Sequence, residues 1–284
     1  MITLDGKRHI KRYLAGFEPS IGLSIAFGLG ERAEVNTDTA LQFEVGRSDI
    51  ALTSYDFVAD KLIYKAPVDE DFGGKIYEVA LFSTPSNDAA GEFGSRIITT
   101  FDSATEEWLD ASSGVDAVFS TGTVRIGDDS LQQTPGASGN KTDALAGITL
   151  DLSGYSAADK FVLALNVGNA FTSSVSVQFL TDTSNYYLVS FTGTTSGYKI
   201  LEATKGSAIA TGAPDWANIT EIRVKTNSTA GGASQVDFDG LRIEDTDTVN
   251  SDYVMVSREL LPAAFLKKEG MTQDIEFTLN VTIT

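Results

Sequence analysis

A surface that binds sugars needs flat aromatic rings to lie against the apolar faces of pyranose units, with planar polar groups beside them to bond the hydroxyls. Both kinds of residue recur in the second half of this 284-residue sequence. Tyr155, Tyr186, Tyr187, Tyr198 and Trp216 supply rings, and Asn166, Asn169 and Gln178 supply amides. Tyr186 and Tyr187 are adjacent, so on a strand they point to opposite faces and at most one of them can line a concave surface. Covalent chemistry is poorly provided for. His9 is the single histidine and has no nucleophile near it, and there is no phosphate loop, zinc spacing or EF-hand loop. Pairs of carboxylates are expected by chance in a chain with 39 Asp and Glu against 21 Lys and Arg. The sequence therefore reads as a non-enzyme.

The elements that must position these residues are mostly strands. Ile222 and Val224 alternate with Glu221, Arg223 and Lys225, the period of a strand with one buried face. Val236, Phe238 and Leu241 or Ile243 form a second run, with a bulge expected at Asp239 and Gly240. Residues 227–234 would join the two as a hairpin, which needs a core to close over. Further strands are expected at 117–119, 123–126, 148–152, 161–167, 174–181, 186–192 and 198–202. Phe161 to Val167 is the most apolar run and should be central.

The first hundred residues read as a short helix followed by strands. Asp5 is placed to cap the helix and Gly16 to end it, with Ile10, Tyr13 and Leu14 on one face and His9 on the polar side. Strands are expected around 21–28, 41–47, 62–67 and 75–82, and residues 84–91 read as a linker. Near the end, a strand over 253–258 should break at Pro262. Residues 274–283 alternate throughout, so Ile275, Phe277, Leu279, Val281 and Ile283 share a face that should join a sheet formed by the first eighty residues.

Composition sets the bounds. Hydrophobic residues make up 42% of the chain, enough for real cores, and abundant Gly, Thr, Ser and Val favour an all-β class. The net charge of -18 excludes a general affinity for nucleic acid. No apolar run is long enough to span a membrane. Cysteine is absent, so neither disulfides nor thiolate metal sites are available. Lys7 to Arg12 is basic with no apolar segment behind it, unlike a secretory signal.

Two resemblances follow. Phe101, Asp102 and Trp108, then Gly127 to Leu131, Asp151 to Tyr155, and Trp216 ahead of Ile219, Ile222, Val224 and Asp239 resemble the jelly-roll carbohydrate-binding modules of galactose-binding-like type. The likeness covers 101–245. It implies a sandwich in which Trp216 serves either packing or ligand contact. It also implies one structural calcium ion between the first and last strands at Asp102 and Asp239, with backbone carbonyls completing the oxygen shell.

The second resemblance comprises Ala26, Gly28, Gly30, Thr37 to Thr39, Leu41, Glu44 and Arg47, then Ile76, Glu78, Val79, Leu81 and Phe82, with Lys267, Gly270 and the terminal strand. It is similar to phage tail-collar fibre N-terminal domains, although no fibre shaft follows. It implies a virion structural protein that contacts other virion proteins and forms a homo-oligomer, a trimer being favoured. Glu44, Arg47 and Glu78 are read as structural ties that hold strands in register.

The combined expectation is an all-β protein. A small β-rich anchor domain with one short N-terminal helix, residues 1–98 plus 248–284, is split by an inserted jelly-roll β-sandwich, 99–247. The function expected is a virion part (tail, neck, baseplate or capsid decoration) displaying a module for protein or glycan contact. The alternative is a bacterial polysaccharide-binding protein carrying a carbohydrate-binding module.

Overall fold

The computed structural model describes residues 1–69, 72–84, 96–245 and 254–280. The chain opens with helix α1 (Leu4–Leu14) and strands β1 (Ser24–Gly28), β2 (Glu44–Asp49), β3 (Leu52–Asp56), β4 (Lys61–Val68) and β5 (Gly74–Phe82). There follow β6 (Arg96–Thr99), β7 (Trp108–Asp110), β8 (Val118–Ser120), β9 (Ser130–Gln133), β10 (Asn140–Leu150) and β11 (Lys160–Val167). Then come β12 (Thr172–Asp182), β13 (Asn185–Phe191), β14 (Gly197–Thr204), β15 (Ile209–Thr211), β16 (Ile219–Ser228) and β17 (Val236–Glu244). The last two are β18 (Met255–Lys267) and β19 (Gln273–Leu279). Among the described residues the protein is all-β apart from α1 and one turn of 3-10 helix at Lys205–Ser207. It divides into two compact units, Met1–Phe93 with Thr248–Thr284, and Gly94–Asp247.

The first unit is built from both ends of the sequence. One sheet runs β18-β5-β1-β2 and a smaller one β19-β4-β3. The terminal strand β19 lies antiparallel to β4, setting Phe277 across from Tyr64 and burying Ile275, Phe277 and Leu279; Val281 and Ile283 lie outside the described residues. Helix α1 starts two residues earlier than its sequence suggests, because Thr3, not Asp5, caps it: the Gly6 N–H donates to Thr3 Oγ1 at 2.8 Å. Asp5 instead pairs with Arg8 in the first turn. His9 is buried, not exposed, with Nε2 3.0 Å from the Ser20 carbonyl. Strand β18 does not stop at Pro262; a bulge between Leu260 and Phe265 takes up the break in pairing with β5.

Three carboxylates organise this unit. Glu44 and Arg47 form a two-point ion pair at 2.9 and 2.8 Å, and the Arg47 guanidinium lies 3.7 Å from the centroid of the Phe82 ring. Glu78 takes no part in that pair. It is fully buried and accepts the N–H groups of Gly30, Gln42 and Phe43, as well as Arg258 at 2.9 and 2.7 Å. Arg258 also reaches Asp38 at 2.9 Å, so the two guanidinium partners tie residues 30–43 to the central sheet. Burial is opposed at Asp38 by the Val35 N–H and Arg258, which leave its carboxyl below the usual carboxylate range.

The second unit is an antiparallel β-sandwich. One sheet runs β15-β13-β12-β16-β10-β7, and the other β14-β11-β17-β9-β8 with β6 on β17. The core between them holds Phe161, Leu163 and Leu165 from β11, Val175, Val177 and Phe179 from β12, and Ile222, Val224, Phe238 and Ile243 from the two strands expected to form a hairpin. Those two strands are not a hairpin. β16 pairs with β10 and β12, whereas β17 pairs with β11 and β9 in the opposite sheet. The intervening turn crosses from one sheet to the other, pinned by the Thr229 N–H to the Phe171 carbonyl and the Ser234 N–H to the Pro135 carbonyl. Each strand has one apolar face, and placing them in facing sheets buries both faces in one core.

Candidate functional site

Strand alternation fixes what each face of the sandwich presents. Because Val175, Val177 and Phe179 enter the core, Ser176, Gln178 and Leu180 stand on the outer face of their sheet. Register then places Tyr186 beside Leu180, Leu188 beside Gln178 and Ser190 beside Ser176 on β13. On the other side β16 sets Glu221, Arg223 and Lys225 against the same three residues. Strand β10 adds Ala146, Ala144 and Thr142 in line with them. The result is a grid four strands wide, with a tyrosine and a leucine at one side, small residues at the other, and polar groups between.

Among the described residues, the polar side chains of this grid are largely unengaged. Glu221 and Arg223 pair with each other. Gln178, Lys225, Thr142, Ser190 and the Tyr186 hydroxyl form no side-chain hydrogen bond or ion pair among the described residues. Tyr186, Leu188, Gln178 and Lys225 are each partly exposed. Edge strand β15 continues the apolar side with Ile209, which is exposed and lies opposite Leu188.

The other candidate aromatics lie elsewhere. Tyr187 points inward, and its ring stacks on Trp216 at 3.9 Å with an interplanar angle of 2°. Its hydroxyl donates to the Pro214 carbonyl at 2.9 Å, and burial raises its pKa above the ordinary phenol value. Trp216 also packs on Phe161 and Phe179, with the Lys205 ammonium 5.2 Å from its ring. Tyr155 packs against the same core. Lys205 reaches the Leu152 carbonyl at 2.9 Å and the Tyr155 carbonyl, and burial lowers its pKa. These groups close one end of the sandwich.

Tyr198 belongs to the outer face of the opposite sheet, which is sealed. Its hydroxyl donates to Asp239 at 2.6 Å, and the Arg125 guanidinium covers its ring at 3.5 Å. Asp239, buried at the β17 bulge, also accepts the N–H groups of Arg125 and Ile126. Burial outweighs these bonds and pushes its carboxyl up to about 6. Asp237 accepts Thr123, Asn166 and Gln132 at 2.9, 3.1 and 2.9 Å. The segment expected as a strand at 123–126 is instead a cover laid over this face and held by the two aspartates. Asn169 bonds the Ala233 carbonyl.

Asp102 accepts the N–H groups of Ala104 and Asp128 at 2.9 and 2.8 Å. Gly127 has φ +69°, and a Cβ there would come within 1.8 Å of the Asp102 carboxylate. N–H donors thus approach both carboxylates expected to hold calcium, where a cation would require more oxygen ligands. Among the described residues no three His, Cys, Asp or Glu side chains group as a metal site.

A cleft of about 630 Å³ at the sandwich edge is lined by Glu106, Glu107, Trp108 and Asp116. Glu106 is taken up by the Thr100 and Phe101 N–H groups, the Thr99 hydroxyl and the Trp108 indole N–H. It braces the chain where Phe101 adopts φ +58° and is not placed as a catalytic acid.

Of the residues singled out in the sequence, the open face therefore gathers Tyr186 and Gln178. It adds Ser176, Ser190, Thr142, Arg223 and Lys225. The period-two pattern of 174–180 and 221–225 carries the signal for these, since the residues between the apolar ones must point outward.

No protein-family model matches the chain, and no curated protein matches it. Among solved structures it is similar to a family 11 carbohydrate-binding module from Clostridium thermocellum in complex with a β-1,3-1,4-mixed-linked tetrasaccharide, 12% identical. That match covers 54% of this chain and 96% of that one, with a TM-score of 0.40. A xylan-binding domain of CBM 22 is 13% identical over 56% of this chain and 99% of that one, at a TM-score of 0.28. The glycoside hydrolase domain of Endo-D from Streptococcus pneumoniae R6 is 14% identical over 64% of this chain, at a TM-score of 0.32. The chain spans 28% of that hydrolase structure's length and 23% of PfGH50B.

Proposed function

We propose that the sandwich unit is a non-catalytic carbohydrate-binding module whose site is the outer face of the β15-β13-β12-β16-β10-β7 sheet. The observation that carries this reading is the unengaged polar grid beside Tyr186. A sugar ring lies against the Tyr186 ring and Leu188 with Gln178 bonding its hydroxyls, and Ser190 and Thr142, farther along the face, bond other sugars of the same chain. Extension across several strands suits a chain of sugars more than a single one. Purified protein run through gels containing soluble polysaccharides tests the reading. Retardation by at least one polysaccharide is expected, weakened in Tyr186→Ala and retained in a surface variant of the sealed face such as Glu202→Ala. Equal mobility in every gel would overturn it.

A second reading concerns the first unit. A groove of about 440 Å³ between α1 and the small sheet is lined by Ile10, Tyr13, Leu14, Tyr55 and Tyr64. Phe57, in ring contact with Tyr55, and Val58 are almost fully exposed beside it. An exposed apolar surface of this kind favours attachment to another protein, in keeping with the anchoring role expected from the tail-collar resemblance. Native mass in solution, with mass spectrometry of purified phage particles, tests it. A monomer absent from any particle would overturn it.

A further inference from the structure

The charge on the open face runs against the rest of the unit. Residues Gly94–Asp247 carry nine Lys and Arg against nineteen Asp and Glu, a net charge of -10. On the outer face just described, the registered positions of β13, β15 and β10 carry no charged side chain. Strand β16 supplies the charges there: Glu221, neutralised by Arg223, and Lys225. Asp182, at the end of β12, is turned into its own hairpin, where it accepts the Ser184 and Asn185 N–H groups and the Asn185 amide. In a unit this acidic, a face whose carboxylates at the described positions, Glu221 and Asp182, are both already engaged needs a reason.

Lys225 occupies the middle of that face. Its neighbours across the ladder are Ser176 and Thr142, neither of them acidic. It forms no ion pair among the described residues and stays partly exposed. An ammonium between the hydroxyls of Thr142 and the buried Ser176, with no carboxylate at the registered positions beside it, is arranged to receive an anion. The ring surface of Tyr186 and Leu188 lies two strands away and two to four residues along the ladder, a span of a few sugars on the same chain.

We propose that the ligand is an anionic polysaccharide, with a uronate carboxylate or sulfate ester seated on Lys225 while another sugar of the same chain stacks at Tyr186. This rests on the carbohydrate-binding reading and adds to it the charge class of the ligand. The remaining acidity of the unit then acts as a filter. A polyanion is repelled elsewhere on the module and accepted along this one face.

The test is affinity electrophoresis and calorimetry of the full chain with four probes: polygalacturonate, a sulfated galactan, mixed-linkage β-glucan and xylan. Binding is expected to polygalacturonate or the sulfated galactan, which separates the two anion sources. Affinity should drop roughly tenfold between 20 and 200 mM NaCl, as screening dictates for a charge-assisted contact. Lys225→Gln should weaken binding roughly tenfold and Lys225→Arg should restore it, with unchanged melting temperatures in both. Binding of the neutral glucan or xylan with no loss in Lys225→Gln would overturn the charge assignment while leaving the module reading intact. Failure of all four probes to bind would overturn both.

Discussion

On the outer face of the β14-β11-β17-β9-β8 sheet, Tyr198, Asn166, Asp237 and Asp239 are bonded to one another or to residues 123–126. Across the sandwich, Tyr186, Gln178 and Lys225 stand at equivalent outward positions with no such partners among the described residues. The residue types on the two faces are alike; what differs is the cover. The first face has a segment of its own chain laid over it, so tyrosine and carboxamide serve packing. On the second, Tyr186, Leu188, Gln178 and Lys225 stay partly exposed over buried Leu180, Ser176 and Ala144, and no such segment holds them among the described residues. A residue's capacity for recognition is thus decided by whether the chain has already answered its hydrogen bonds.

Variants can break or sharpen that contrast. The largest effect is expected from Asp239→Ala, which strips acceptors from the Tyr198 hydroxyl and from the Arg125 and Ile126 N–H groups in a buried site. A loss of about 4 kcal/mol should be seen by urea unfolding. A loss below about 1 kcal/mol would mean that the cover is not held as described. Tyr187→Ala, which removes the ring stacked on Trp216, should cost about 3 kcal/mol of stability. Its neighbour Tyr186→Ala should leave stability within about 0.5 kcal/mol and weaken glycan binding roughly tenfold. Reversal of that order would exchange the roles of the two tyrosines.

A pH effect comes next. With its carboxyl pushed up from 3.8 to about 6, Asp239 holds its proton more tightly in the folded protein than in the unfolded chain. Its contribution is fully present below the unfolded value and is lost as pH rises through about 6, on the order of 3 kcal/mol in all. Melting curves of wild type and Asp239→Asn between pH 4 and pH 7 should differ in slope, the variant lacking this component. The smallest expected effect is none: a chelator should leave the melting temperature unchanged, because N–H donors approach both Asp102 and Asp239. A fall of several degrees would reinstate a bound cation.

Much of the fold was legible because alternation is a local signal. The strands expected at 161–167, 174–181 and 186–192 lie within a residue or two of β11, β12 and β13. Boundaries failed where a tertiary contact decided them. Thr3 took the capping role from Asp5 because it also reaches the Val256 backbone. Residues 123–126 look like a strand by composition, yet Asp239, more than a hundred positions away, holds their N–H groups. The turn at 229–235 has hairpin chemistry, and only the existence of a second sheet to receive β17 makes it a crossing. At the site, the sequence offers five aromatics, of which only one of Tyr186 and Tyr187 can line a concave surface and Trp216 serves either packing or ligand contact. Burial placed Tyr187, Trp216 and Tyr155 against the core and Tyr198 under Arg125. Lys225 carries no signal in the sequence, because a lysine on a strand reads as solvated surface until its cross-ladder neighbours, Ser176 and Thr142, are known.

The entry and exit strands of the sandwich, β6 and β17, are hydrogen-bonded neighbours, with Arg96 facing Ile243. A body whose two ends leave side by side can be lifted out of one host chain and set into a loop of another, since the break it makes there is only as wide as a pair of strands. That geometry makes the module a portable cassette, transferable between scaffolds without redesigning either.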